Sequence, residues 1–327
     1  MTIHPALAPF LAIKPTARLH LRILMGTHNG ASTLAAQLNS FAAQEHENWS
    51  LWASDDQSTD RTVDELRRFA QAHPGRDIRI LNGPGAGLAA NYLSLLCHPD
   101  LPPGPVALSD QDDVWLPGRL TRALAAIEAA EAKASAGTPV LYASRTILTD
   151  QILARKRRSA RLRRPPEFAN ALVQNVMYGN TLVLNRAALD LVRRAGVQTG
   201  LSFHDWWLYL LISGAGGILI HDQTPGVLYR QHGKNALGGH RGVVTGLTRL
   251  HSLLRGGYGD WISRNLAALN AQRALLTPES RARLDALARC QANSPMQRLI
   301  ALCNAGAYRQ TRLQSALIYL AVLLRRL

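Results

Sequence analysis

Three cysteines in 327 residues, Cys97, Cys290 and Cys303, are too few and too scattered for a disulfide scaffold or a zinc site. A reducing cytoplasm is the simplest setting for them. No apolar run reaches the ~18 residues expected of a spanning helix, which excludes a polytopic membrane protein. Acidic residues are also scarce, 22 against 37 Lys and Arg, for a net charge of +15. Such a chain is attracted to polyanions: nucleic acid, anionic lipid or phosphorylated ligands. Much of the excess is arginine, so part of it is compositional. Hydrophobic residues at 47% and charged residues at 18% exclude a mainly disordered chain. The length suits one large domain or two small ones.

Residues 1–18 carry Pro5, Pro9 and Pro15 without a steady period. Lys14 and Arg18 follow the apolar stretch, where a signal peptide would place basic residues before it, so an unprocessed, loosely ordered extension is expected. Strand signals then alternate with helical ones. Strands are expected at residues 21–25, 49–53, 77–81 and 106–108, with helices over about 32–44, 61–72 and 89–96 between them. This alternation means a parallel sheet with right-handed crossovers, and ligands bind such sheets beyond the carboxyl ends of the strands. Three polar clusters fall at those ends: Thr27-His28-Asn29, Asp55-Asp56 and Asp110-Gln111-Asp112-Asp113.

Farther on, a helix is expected to residue 134, strands at 140–144 and 179–185, and helices opening near Ala187 and at His204. Short strands follow at 218–221 and 226–229. From about Val243 the pattern is helical, and Thr277-Pro278-Glu279 has the capping residue and proline of a helix start.

Three carboxylates in four residues at Asp110, Asp112 and Asp113 repel one another, and burying them together is costly unless a cation neutralises them. Their oxygens suit Mg²⁺ or Mn²⁺. A solvated loop or a helix cap would explain the same residues. Asp55-Asp56 alone reads equally as a turn feeding a helix. His204-Asp205-Trp206-Trp207 reads either as a carboxylate in an aromatic-walled sugar site or as a helix cap over a core patch. The segment 155–164, with seven basic residues in ten, is a solvated mobile loop or a contact to anionic headgroups or to a diphosphate-linked acceptor lipid. Residues 317–324 are apolar apart from Tyr319 and precede Arg325-Arg326. They form a docked tail helix or bind a membrane interface.

Five ordered motifs over about residues 21–240 resemble family 2 glycosyltransferases: Leu24-Met25-Gly26-Thr27-His28-Asn29-Gly30, Ser54-Asp55-Asp56-Gln57-Ser58-Thr59-Asp60, Ser109-Asp110-Gln111-Asp112-Asp113-Val114-Trp115, His204-Asp205-Trp206-Trp207, and Tyr229-Arg230-Gln231-His232-Gly233-Lys234-Asn235. The likeness is to a rhamnosyltransferase-like subgroup of surface polysaccharide synthesis. It implies an α/β GT-A fold, a Rossmann-like, mostly parallel sheet flanked by helices, over residues 19–240. A C-terminal helical region, 241–327, would follow as a candidate membrane-associating part. It implies an inverting, metal-dependent hexosyl transfer, with L-rhamnose as the leading sugar. The donor would be a dTDP- or UDP-linked sugar, the acceptor a glycan or lipid-linked glycan, and the cofactor Mg²⁺ or Mn²⁺. The setting would be the cytoplasm or the inner face of the cell membrane, with no nucleic-acid partner.

The resemblance also implies roles. Thr27 and Asn29 would line the nucleotide pocket. Asp55 would bind the base and Asp56 support its loop. Asp110 would approach the ribose, Gln111 would bind the nucleotide sugar, and Asp112 would hold the divalent metal on the diphosphate. Arg230 and His232 would sit near the diphosphate, His232 as a metal ligand, and Asp205 would be the general base. Trp206, Trp207, Gly179 and Asn180 would line the acceptor and sugar pocket. His28, Gln57, Asn180, His204 and the Ala89-Ala90 pair depart from the usual pattern. Three alternatives stay open on the residues alone: a nucleotide-sugar-binding module without turnover, a basic nucleic-acid-binding protein, which the acidic clusters oppose, and a metal-dependent phosphohydrolase.

Overall fold

The computed structural model describes residues 19–231, 257–291 and 294–324. The loosely ordered extension expected over residues 1–18, His232 and the start of the C-terminal helical region lie outside them. Strands β1 (Leu21–Thr27), β2 (Trp49–Asp55), β3 (Ile78–Asn82) and β4 (Val106–Ser109) are joined by helices α1 (Ala31–Ala42), α2 (Thr62–Ala72) and α3 (Leu88–Leu96). All four strands run parallel, in the order β3-β2-β1-β4. Their register sets Thr27 opposite Asp55 and Met25 opposite Ser109, so the three polar clusters meet along one edge.

Next come β5 (Val114–Trp115), α4 (Arg119–Glu131), β6 (Val140–Thr149), β7 (Lys156–Arg158), α5 (Phe168–Ala171), β8 (Val183–Leu184), α6 (Arg186–Ala195), α7 (His204–Gly214) and β9 (Ile218–Arg230). The sheet continues β4-β8-β6-β9-β5, with β7 on the edge of β6. Here it is mixed: β8 runs antiparallel to both neighbours, while β6 and β9 are parallel.

Two expectations are corrected. Residues 179–185 are not one strand. Gly179–Thr181 is a tight 3₁₀ turn, and only Val183–Leu184 pairs. The two short strands at 218–221 and 226–229 are one strand, β9. Thr224-Pro225-Gly226 reads as a break, but a bulge opposite Ser144, Arg145 and Thr146 absorbs the proline that cannot donate to the ladder.

Alternate residues of β1 face opposite sides: Ile23 and Met25 pack with α1, α2 and α4, and Leu24 packs with α3 and α7. The second core runs on without a break into the C-terminal helices α8 (Gly257–Ala271), α9 (Pro278–Ala288), α10 (Pro295–Ala305) and α11 (Arg312–Leu323), through Ile262, Leu269, Leu284, Leu302 and Ile318. Thr277 caps α9, accepting from the Ser280 N–H at 3.1 Å, with Pro278 at the first helical position. No helix among the described residues is long and apolar enough to cross a membrane.

Candidate active site

The ends of β1 and β2 form one hydrogen-bonded shelf. Thr27 Oγ1 donates to Asp55 Oδ1 at 2.9 Å, and Ser58 donates to the same carboxylate through Oγ (2.6 Å) and its N–H (2.9 Å). Asn29 Oδ1 accepts from the Thr59 N–H at 2.8 Å. The Asp56 carboxylate accepts the N–H groups of Gly85 (2.6 Å) and Gly87 (2.9 Å), and so fixes the glycine-rich loop after β3. Gln57 stands at φ 65°, a left-handed backbone that favours glycine. Gln111 clamps His28 from both sides: Oε1 accepts its N–H and Nε2 donates to its carbonyl, each at 2.9 Å.

Beyond β4, the carboxylate oxygens of Asp110, Asp112 and Asp113 lie within 4.8 Å of one another. Asp113 is fully buried, and its oxygens accept Asn180 Nδ2 at 2.6 Å and the Arg230 N–H at 3.1 Å. Burial, and next the charge of Asp112, push the Asp113 carboxyl well above its ordinary value. Asp110 is raised by the same two causes, with a further contribution from Asp205, which brings Asp205 within electrostatic reach of the cluster. Asp110 Oδ1 accepts the Tyr92 hydroxyl at 3.0 Å. Such a set of hard oxygen donors, mutually repelling and partly desolvated, fits Mg²⁺ or Mn²⁺.

Two buried cations brace this loop. Arg230 donates through Nε to the Asp112 carbonyl at 2.8 Å and through Nη1 to the Gln151 carbonyl. Arg119, fully buried, lies 3.5 Å over the Trp115 ring and donates to the Leu108 carbonyl at 3.2 Å. Burial lowers its pKa to about 9, which leaves it charged at neutral pH, where Asp113 and Asp110 favour its cationic form.

Asp205 opens α7. Its Oδ2 accepts the Gly179 N–H at 3.0 Å, its Oδ1 accepts the Trp206 N–H at 2.8 Å, and the Asn175 side chain also donates to it. Burial raises its pKa, and these donors pull the other way. The 3₁₀ turn therefore joins both halves of the site: Gly179 holds Asp205, and Asn180 holds Asp113. A Cβ on Gly179 would stand 2.8 Å from His204 Nε2 and 3.4 Å from Asp205 Cβ, so the position needs glycine.

The expectation for the tryptophans is corrected. Trp206 is 3% exposed and bonds the Ala171 carbonyl at 2.7 Å, and Trp207 is 0% exposed. Neither leaves a face for a sugar, because α7 is buried on almost every side between α3, α5, α6 and α8. Their contribution is the apolar surround of Asp205. The expectation for His232 falls on residues outside those described.

Sequence reasoning missed Tyr92, Arg119 and Asn175. Arg119 carried a usable signal: it shares the spacing of Ala123 and Ile127 on the buried face of α4, where a cation needs a reason.

The glycosyl transferase family 2 signature matches residues 22–186. The chain is 26% identical over 219 residues to the dTDP-rhamnosyl transferase RfbG of Shigella flexneri, covering 65% of this chain and 73% of that one. Among solved structures it resembles the mannosyltransferase PcManGT of Pyrobaculum calidifontis in complex with GDP-Man and Mn²⁺, with TM-score 0.53, 19% identity, and 96% of this chain and 82% of that one covered. It also resembles residues 1–349 of TarS of S. aureus in complex with UDP-GlcNAc, with TM-score 0.53, 13% identity, and 89% and 93% covered. The fold is that of the GT-A glycosyltransferases, and with the family signature spanning half of its length the chain belongs to glycosyl transferase family 2.

Proposed function

We propose that the chain is an inverting, metal-dependent glycosyltransferase. In this reading it moves L-rhamnose from a dTDP-linked donor to a hydroxyl of a lipid-linked glycan at the inner face of the cell membrane. The observation that carries the catalytic part is the Gly179-Asn180 turn, which fixes one aspartate, Asp205, beside but apart from the acidic cluster. The choice of rhamnose rests on the likeness to RfbG.

The nucleotide lies on the Thr27, Asn29 and Asp55 shelf, with Asp56 holding the glycine-rich loop against it. Asp112, with Asp110 beside it, would hold a divalent metal, and Asp113 with Asn180, Arg119 and Arg230 fixes their loop. When bound, the metal neutralises charge on the diphosphate leaving group. The acceptor hydroxyl is a poor nucleophile near neutral pH, and Asp205 takes its proton as the oxygen attacks the anomeric carbon. The bond from that carbon to the diphosphate breaks as the new one forms, so a single displacement inverts the centre. Asp205 keeps lone pairs for this proton, since a carboxylate offers about four acceptor sites.

Calorimetry of dTDP- and UDP-sugars with Mg²⁺ or Mn²⁺ tests the reading. Tight binding of dTDP-rhamnose is expected, and Asp112→Asn, which keeps size and removes charge, should weaken it at least tenfold with the fold intact. Unchanged affinity in Asp112→Asn, or preference for another donor, would overturn the corresponding assignment.

A further inference from the structure

The positive charge of this chain is concentrated in two strips. Residues 151–166 contain seven basic residues and no acidic one, and residues 286–327 contain six arginines and no acidic one. The first strip is no free loop. Lys156–Arg158 is the edge strand β7, paired with the end of β6 and exposed at all three residues. Farther along, Gln310 Oε1 accepts the N–H groups of Arg163 (2.8 Å) and Arg164 (3.1 Å), and Gln310 Nε2 donates to the Arg164 carbonyl at 3.1 Å. The Arg164 guanidinium lies 3.3 Å over the Tyr308 ring. The basic strip is thereby tied to the connection between α10 and α11.

Those two helices are apolar on two faces. One face is packed: Ala301, Leu302 and Ala305 on α10, and Ile318, Ala321 and Val322 on α11. The other leaves large side chains in solvent: Met296 (63% exposed) and Ile300 on α10, and Leu313 (73%), Leu320 and, just past its end, Leu324 on α11. Their spacings, four, seven and four residues, keep each set on one side of its helix. A helix lying on a soluble domain ordinarily turns charged residues outward.

We propose that the exposed face of α10 and α11, with the basic strip beside it, docks on an anionic lipid bilayer: the leucines, Met296 and Ile300 enter the acyl boundary, and Lys156, Arg157, Arg158 and Arg312 meet the headgroups. Charge selects this occupant. A second copy bringing the same surface would set arginine against arginine, and the carboxylate beside the first strip, Glu167, is already paired with Arg164 at 3.8 Å. A nucleic acid would match the charge and leave the leucines in water. The inference deepens the proposed reading, since a lipid-linked acceptor is presented at such a surface, and rests on it only for the acceptor.

Sedimentation with vesicles of phosphatidylglycerol and phosphatidylcholine in equal parts tests it, with phosphatidylcholine vesicles as the control. The intact protein should sediment with the anionic vesicles, release with added salt, and ignore the neutral ones. Leu313→Ser/Leu320→Ser and Arg157→Ser/Arg158→Ser should each lower the vesicle partition about tenfold or more. Donor calorimetry on both variants should match the wild type, because neither pair touches the nucleotide shelf or the acidic cluster. This separates a failure of the docking surface from a failure of the catalytic reading. No binding to anionic vesicles at low salt, or wild-type partition in both variants, overturns the proposal. So does a wild-type dimer in sedimentation velocity that Leu313→Ser/Leu320→Ser abolishes, or salt-sensitive binding to duplex DNA without binding to vesicles.

Discussion

The imidazole of His204 lies stacked on the ring of Tyr92, with centroids 3.9 Å apart and planes 22° from parallel. Tyr92 donates its hydroxyl to Asp110 and to the Ser109 carbonyl, and His204 precedes Asp205. One ring pair thus joins the acidic cluster to the candidate base. His204 is buried, and neither ring nitrogen has a hydrogen-bond partner among the described residues. Burial lowers its pKa to about 3, so it braces the site as a neutral ring and adds no charge beside Asp205.

That burial has a consequence for stability. Between about pH 6.5 and pH 3 the unfolded chain takes up a proton that the folded His204 refuses. Stability from this group is therefore complete above the unfolded pKa and is lost as the pH falls through that window, by at most about 1.4 kcal/mol per pH unit. His204→Phe keeps a ring on Tyr92 and removes the titrating nitrogens. Its Tm should fall less steeply with acid than the wild-type Tm over this range, as thermal denaturation at several pH values would show. Equal slopes would place His204 in contact with solvent.

Gly179→Ala should separate positioning from binding. The new methyl meets His204 Nε2 and crowds Asp205 Cβ, and overpacking of this kind costs about 1–3 kcal/mol. Donor affinity should hold within a few-fold, because the nucleotide shelf is built elsewhere. The transfer rate at saturating donor should fall about tenfold or more, since misplacing a reacting group is expensive. Steady-state kinetics beside calorimetry would read both.

Arg119 faces the opposite test. Arg119→Met fills much of the same space and removes the buried cation under Asp110 and Asp113. The Arg119 guanidinium bonds the Leu108 carbonyl and acts on the two carboxylates through space, so its loss should cost on the order of 1–2 kcal/mol. The loss should appear in urea unfolding without metal and shrink when Mg²⁺ or Mn²⁺ is added, because the bound cation takes over part of the neutralisation. A loss unchanged by metal would put the metal away from this cluster.

The first half of the fold was legible because short apolar runs, buried on both faces in the sheet, alternate with period-3.6 segments and end on polar clusters. β1, β2 and β4 were each expected within two residues of their ends. What escaped depends on partners distant in sequence. β7 is all basic and exists by pairing with β6, and β5 has only two residues. The carboxylates showed themselves as a charge cluster. Tyr92 and Arg119 did not, since their roles come from where α3 and α4 pack. Trp206 and Trp207 look alike as sugar platforms or as core until α7 packs among α3, α5, α6 and α8. Gly179 and Asn180 were expected in the pocket, and what the structure adds is that the turn holds both halves of the site.

Asp205→Asn, measured at saturating donor, tests most directly whether Asp205 takes the acceptor proton. Asparagine keeps the shape of the α7 start, so the fold and the donor affinity should survive. The transfer rate should drop about 10²–10⁴-fold, the usual contribution of a positioned base. The wild-type rate should itself fall with acid, because the ionised carboxylate is the active form, with a midpoint above the ordinary carboxylate value of about 4 that burial has raised. Transfer by Asp205→Asn within a few-fold of wild type would contradict the account and leave Asp205 as a structural acceptor for the Gly179 and Trp206 N–H groups.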